Sequence, residues 1–350
     1  MAVKIGTAAD HIELWDALLD FLQNDPELVS AGQNWSVAWQ HSERPEIVLE
    51  GPGLSGTGEV LVGLRRRADE LTVGESVIDL TGMIGVIPSA ADFNQHVGNL
   101  TVPPLFFLDQ NPMDYWFVAN GRRFVVVVKI STIYQAGYAG LFMPYARPTA
   151  YPAPLFIGGT RGQGRGTNSN TIVDSWRAGT HGRYRHFTQP VSETSATTGF
   201  ASPAYMLDPS GQWGECGTLT GQDVAFSLPY IRMGPKNFPA RVAGLTAGPA
   251  GDGQVNSGGS WTARLGYRSF QENMVAGLNG DYSLTPLTLS SGGYANAQAA
   301  VTYGVLDGCF LIPGEGNVAE NIVTMGGVDH LVVANVQHTS TDEYWALALE

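Results

Sequence analysis

The chain has 350 residues, 15 % of them charged, with 44 glycines, 20 prolines and a formal net charge of −13. Globular proteins are normally about a quarter charged, so this is a low-charge, turn-rich composition that suits many short strands and not a helical enzyme. The acidity gives a phosphate backbone no electrostatic footing and excludes direct nucleic-acid binding, the apolar content excludes wholesale disorder, and the length allows a sizeable core in two or three domains.

The N-terminus, Met1-Ala2-Val3-Lys4, shows no hydrophobic secretory core. The chain is therefore expected to be made in the cytoplasm and to stay there or leave within a larger particle. Residues 7–24 follow with helical periodicity. Thr7 is the expected cap, with Asp10 completing a capping box. Ile12, Trp15, Leu18, Leu19 and Leu22 form the apolar stripe, which Leu14 and Phe21 widen. So wide a stripe packs on the chain's own sheet or on a partner chain, which makes Trp15, Leu19 and Leu22 candidate interface residues. Asp25-Pro26 opens a short helical turn that Gly32 ends.

From Trp35 the pattern becomes that of strands: Trp35–Gln40, Glu46–Glu50, Glu59–Leu64 and Val77–Thr81, punctuated by Pro45, Gly51-Pro52-Gly53, Gly56 and Gly58. The basic run Arg65-Arg66-Arg67 precedes Asp69 and Glu70 and reads as a solvated loop after a strand, with a phosphate clamp as the alternative. Pro144, Pro148, Pro152 and Pro154 mark a boundary. Residues 158–260 are loop-rich, with Gly162-Gln163-Gly164-Arg165-Gly166 and a second Gly-rich loop from Ala247 to Ser260. The expected segments are an N-terminal helical unit (1–33), a β domain (34–148), a loop-rich β region (149–260) and a C-terminal β domain (261–350). The expected fold class is mainly β, with antiparallel sheets forming a sandwich or a barrel-like body. Phe124–Val128 is too short for a membrane span, so no membrane insertion is expected.

Two stretches, Phe117–Met143 and Val323–Leu349, align without a gap when Gly121 is laid on Gly327. Val125-Val126-Val127 then meets Leu331-Val332-Val333, Tyr138 meets Tyr344 and Leu141 meets Leu347. Each reads as a three-stranded meander. Asn120-Gly121 is expected to supply the positive φ angles of a type I′ hairpin turn, and Gly326-Gly327 is equally permissive. The pair is either a duplicated meander or two unrelated hairpins.

Reactive chemistry is poorly signalled. Gly162-x-Gly-x-Gly166 lacks the helix that a dinucleotide fingerprint requires, and no phosphate-loop or Gly-x-Ser-x-Gly motif occurs. His181 and His186 are five apart, a spacing that fits no helical zinc site, and read as part of an exposed polar loop; metal binding with Asp174 is the alternative. Cys216 and Cys309 read as buried apolar residues. Glu272, Asp281, Asp307, Glu315 and Glu320 leave a glycosidase pair open, since sequence does not fix carboxylate separation. Trp176, Tyr184, Trp213 and Trp261 sit in Gly/Ser-rich surroundings, where rings serve as core, as sugar platforms or as interface anchors.

Three stretches resemble the virion structural proteins of tailed bacteriophages. The first runs from the helix through Asp25-Pro26-Glu27-Leu28-Val29-Ser30-Ala31-Gly32-Gln33-Asn34-Trp35 to Val48-Leu49-Glu50-Gly51-Pro52-Gly53-Leu54. The second is Tyr115-Trp116-Phe117-Val118-Ala119-Asn120-Gly121-Arg122-Arg123-Phe124-Val125-Val126-Val127, with Tyr134 and Gly140–Ala146. The third is Tyr303 to Gly308 through Glu320-Asn321 to Tyr344-Trp345-Ala346-Leu347. The resemblance implies a place, the tail of a phage particle (tip, baseplate or fibre attachment), and no chemistry. The expected role is a non-enzymatic structural subunit without cofactor, metal or catalytic residues. Its expected partners are other copies of itself and other tail proteins. The candidate interface residues are Trp15, Leu19, Leu22, Trp176, Trp213 and Trp261. The alternatives are a module binding host-surface polysaccharide through Trp176, Trp213 and Trp261, and a glycan-cleaving enzyme.

Overall fold

A computed structural model describes residues 1–53, 60–68, 76–100, 103–147, 150–162, 186–188, 204–209, 211–216, 229–233, 284–291, 301–312, 316–336 and 344–350. In chain order the elements are β1 (Ala2–Ala8), α1 (His11–Asn24), α2 (Pro26–Ser30), β2 (Ser36–Gln40), β3 (Glu46–Gly51), β4 (Val60–Ala68), β5 (Ser76–Met83) and β6 (Pro104–Leu108). Then come β7 (Met113–Ala119), β8 (Arg123–Ile130), β9 (Ile133–Leu141), β10 (Met143–Pro144), β11 (Leu155–Gly158), β12 (Arg161–Gly162), β13 (Ala204–Leu207) and β14 (Trp213–Glu215). The last are β15 (Pro229–Met233), β16 (Thr285–Ser291), β17 (Val301–Leu311), β18 (Ile322–Met325), β19 (Val328–Ala334) and β20 (Tyr344–Ala348).

The strands form three antiparallel sheets. The first has the order β1-β7-β8-β9-β11-β13-β14, the second β12-β6-β5-β4-β3-β2, and the third β15-β16-β17-β20-β19-β18 with β10 alongside β17. Each sheet is an open path with two ends, so the body is a stack of open sheets and not a barrel. The first sheet takes β1 from the N-terminal unit, β7–β9 from the second segment and β11, β13 and β14 from the third, so one sheet spans three of the four segments drawn from the sequence.

The first sheet is the middle layer. Strand side chains alternate between faces, and here both faces are covered. Tyr115, Phe117, Phe124, Val126, Val128 and Leu141 enter a core shared with Leu49, Val62, Ile78, Leu80 and Phe106 of the second sheet and with Leu14, Leu18, Phe21 and Leu22 of α1. The residues between them, Trp116, Val118, Val125, Val127, Tyr134 and Tyr138, enter a separate core with Leu289, Leu306, Leu311, Leu331, Val333, Trp345 and Leu347 of the third sheet. The unbroken run Val125–Val128 is thus a strand with no solvent face.

Several expectations are corrected. Helix α1 begins at His11 and not at Thr7. Its cap is Asp10, whose carboxylate accepts from the backbone N–H of Ile12 and Glu13. Thr7 belongs to β1 and donates its hydroxyl to Asp114 Oδ1 at 2.8 Å. Leu14 and Phe21 are core residues, whereas Ile12 is exposed.

Both meanders exist, as β7-β8-β9 and β18-β19-β20, but the gapless residue match does not hold. Tyr138 faces Val125, while Tyr344 faces Ala334. Residues 335–343 lie between β19 and β20, whereas only Ser131 and Thr132 lie between β8 and β9.

The turn chemistry is also reversed. Gly326 and Gly327 have φ of 63° and 87°, as a type I′ turn requires, whereas Asn120 and Gly121 keep negative φ. Asn120 instead closes its turn with its side chain, Oδ1 accepting from the backbone N–H of Arg122 (2.8 Å) and Arg123 (3.1 Å).

Candidate assembly surface

The polar residues that interrupt the cores are mostly ties between layers. The Asn120 turn is held from two sides. From the second-sheet side, Trp35 Nε1 donates to Asn120 O at 2.9 Å and the Gly53 N–H donates to Gly121 O at 2.8 Å. A Cβ at Gly121 would lie 2.5 Å from Pro52 Cγ, which accounts for glycine here by close approach. From the third sheet, Asp307 Oδ2 accepts from Asn120 Nδ2 (3.3 Å), Arg122 Nη2 (3.0 Å) and Arg123 Nε (3.3 Å). Arg123 is fully buried; its Nη1 donates to Val118 O and its Nη2 to Met1 Sδ.

A second seam joins the middle and third sheets at the other end of β8 and β9. Tyr134 donates its hydroxyl to Glu320 Oε1 at 2.5 Å, and Lys129 Nζ lies 2.5 Å from the same oxygen. Burial alone would raise the Glu320 carboxyl. The hydrogen bonds from Lys129 and Tyr134 outweigh it and hold the group below its ordinary range. Beside this pair His186 is buried completely. Its Nδ1 accepts from Trp345 Nε1 at 2.9 Å, its Nε2 faces Tyr134 O at 2.9 Å, and its backbone N–H donates to Asn335 Oδ1. Indole N–H is only a donor, so the proton of the neutral ring sits on Nε2 and is given to the Tyr134 carbonyl. The exposed-loop reading of His186 is therefore overturned. Both ring nitrogens are engaged within the protein and neither is free for a metal. His181 and Asp174 lie outside the described residues.

The basic run is corrected too. Strand β4 continues through Arg65-Arg66-Arg67 to Ala68. Arg65 and Arg67 project to one face and converge on Asp79, which has 0 % exposure. Arg65 Nη2 and Nε lie 2.7 and 2.9 Å from Oδ2, and Arg67 Nε lies 2.8 Å from it. Arg65 also stands over the Phe93 ring at 5.2 Å. Arg66 points to the other face, with Nη1 2.9 Å from His11 Nδ1. The triplet is structural, and the sequence signal that it missed is the period of two.

Of the candidate interface residues, Trp15 and Leu22 are buried in the chain's own core and Leu19 packs against it. Trp213 is half-buried, set against Gly82, and donates Nε1 to Gly98 O at 2.7 Å. Trp176 and Trp261 lie outside the described residues, as do Tyr184, Glu272, Asp281, Glu315 and the Gly-rich loops beyond Gly162. Cys216 and Cys309 are free and buried, and burial pushes the Cys309 thiol up to about 12. Among the described residues no three His, Cys, Asp or Glu side chains group as metal ligands, and no helix is long and apolar enough to cross a membrane.

Among the described residues, the outward-facing features include strands that end a sheet and scattered apolar side chains. β1, β2 and β18 each end a sheet. On β1, Lys4 lies 3.4 Å from Asp20 of α1. β2 carries a register irregularity between Val37 and Trp39. Bulges and charges of this kind discourage edge pairing. β18 has neither, and around it Val318, Ile322 and Met325 are 62 %, 50 % and 37 % exposed. No protein-family model matches the chain, and no curated protein shows significant similarity to it.

Proposed function

We infer that this chain is a structural subunit of a tailed-bacteriophage virion, placed in the tail at the tip, baseplate or fibre attachment and acting by subunit–subunit assembly. The single observation that carries the reading is the combination of three open sheets with polar groups bonded within the chain, several of them across the layers. Asp79, Asp307, Glu320 and His186 are all engaged by neighbouring side chains or backbone of the same chain. A rigid stack with open edges suits a component that must present fixed surfaces to neighbours. The resemblance in the helix-to-Leu54, Tyr115–Val127 and Tyr303–Leu347 stretches supplies the phage context.

Glycan binding draws less support, because Trp213 is half-buried against the core and its indole N–H is spent on Gly98 O. Mass spectrometry and cryo-EM of purified virions test the reading. The expected result is this chain in the tail at a symmetric copy number. Its absence from washed particles, with abundance in infected-cell cytosol, overturns the assignment.

A further inference from the structure

We propose that β18 is a homotypic docking strand, pairing antiparallel with β18 of a second copy of this chain across a twofold axis, with Val323 of the two copies face to face. The inference rests on the structural-subunit reading and names the partner.

Backbone geometry comes first. Met325 and Val328 flank the Gly326-Gly327 turn, so they form a hydrogen-bonded pair and Val323 forms the next with His330. Thr324 and Asp329 are the intervening pair, whose backbone groups point away from each other. The Asp329 carbonyl accordingly accepts from the N–H of Leu349 on the β20 side, at 2.8 Å. Thr324, and by the same parity Ile322, therefore present N–H and C=O outward, where the sheet has no further strand among the described residues.

Composition selects the partner. Ile322-Val323-Thr324-Met325 contains no charge, in a chain of net charge −13. Two such chains repel wherever acidic surfaces meet. The strand itself adds no charge, and two neighbouring carboxylates are held within the chain. Asp329 Oδ1 accepts from the Thr324 hydroxyl at 2.5 Å, and Glu320 is paired with Lys129. An antiparallel copy of an uncharged strand matches it residue for residue and makes an isologous contact. The outward groups set the register. Ile322 of one copy pairs with Thr324 of the other through two hydrogen bonds, which places Val323 opposite Val323 in a non-hydrogen-bonded pair. Four residues make a weak contact alone, and multiple copies in a particle strengthen it.

The full chain with Val323→Cys tests the register, because Cα atoms of a non-hydrogen-bonded pair are about 4.5 Å apart, within disulfide reach. Cys216 and Cys309 are buried and do not compete. The expected result is a disulfide-linked dimer under mild oxidation, well above the level given by Thr132→Cys in the exposed β8–β9 turn. Thr324→Pro removes an outward donor on an edge strand, where proline is tolerated. It should abolish concentration-dependent dimerisation in sedimentation, while Thr324→Val retains it. An unchanged melting profile shows that the proline variant is folded.

Cross-linking of Val323→Cys no higher than the control, or undiminished dimerisation of folded Thr324→Pro, overturns the proposal. A chain that still assembles in that case keeps the structural-subunit reading and loses only this edge. Absence from purified virions removes that reading whatever β18 does.

Discussion

Trp345 donates its indole N–H to Nδ1 of His186 at 2.9 Å, linking two residues 159 apart in sequence at the seam between the middle and third sheets. The bond requires a neutral imidazole, and complete burial favours the same state, pushing His186 from its ordinary 6.5 down to about 4.

Stability therefore depends on pH in a defined window. As pH falls below 6.5 the unfolded chain takes up the His186 proton, while the folded chain refuses it until about pH 4. The contribution is complete above pH 6.5, is lost progressively down to pH 4 and stays lost below. It is worth roughly 3 kcal/mol over that interval. Urea unfolding across pH 4–7 is expected to show the loss in the native chain and a shallower slope in His186→Gln. Equal slopes would remove the assignment.

The ion pairs of Asp79 and Asp20 should matter very unequally to stability. Asp79 has 0 % side-chain exposure and gathers two guanidinium groups, so Asp79→Asn leaves Arg65 and Arg67 without their buried counter-charge. A cost of roughly 3–5 kcal/mol is expected, visible as a lowered urea midpoint with unchanged slope. The Lys4–Asp20 pair is 34 % and 62 % exposed, and Lys4→Met should change stability by no more than about 0.5 kcal/mol.

Gly121 and Gly327 are required for different reasons, and asparagine distinguishes them. At Gly327 nothing lies within 4 Å of an added Cβ and φ is +87°, so Gly327→Asn should be tolerated, since asparagine enters that region readily. At Gly121 the added atom meets the Pro52 ring at 2.5 Å, and Gly121→Asn should cost roughly 1–3 kcal/mol. Thermal unfolding of the two variants side by side reads the difference.

Trp35→Phe keeps an aromatic ring against Phe124 but leaves the Asn120 carbonyl without its buried donor. A loss of roughly 1–3 kcal/mol is expected. Amide exchange should quicken at Arg122 and Arg123, whose N–H groups depend on that turn.

Helix α1 and the meander β7–β9 are legible in the sequence because their signals are local: a 3.6-residue stripe, and apolar strands broken by small polar turns. The start of α1 is misplaced because Thr7 and Asp10 are both competent caps. The choice falls to Asp10 because Ala2–Ala8 pairs along β7. The alternation Val3, Ile5, Thr7 is the signal that could have revealed that strand. Arg65–Arg67 reads as a loop because charge suggests solvent, and only the register that brings Asp79 opposite Arg65 turns it into a buried clamp.

By itself, then, the sequence determined a β-rich chain with one amphipathic helix and two meanders, since periodicity and turn residues act over a few positions. The tertiary structure alone decided that the first meander is a middle layer with two covered faces. It also decided that His186 and Asp307 tie the middle and third sheets, that Asp79 gathers Arg65 and Arg67 within the second, and that uncharged β18 ends its sheet among the described residues. These depend on which strands become neighbours. That choice is made by the burial of whole faces and by hydrogen bonds across the sheets, such as Trp345 to His186, 159 positions apart.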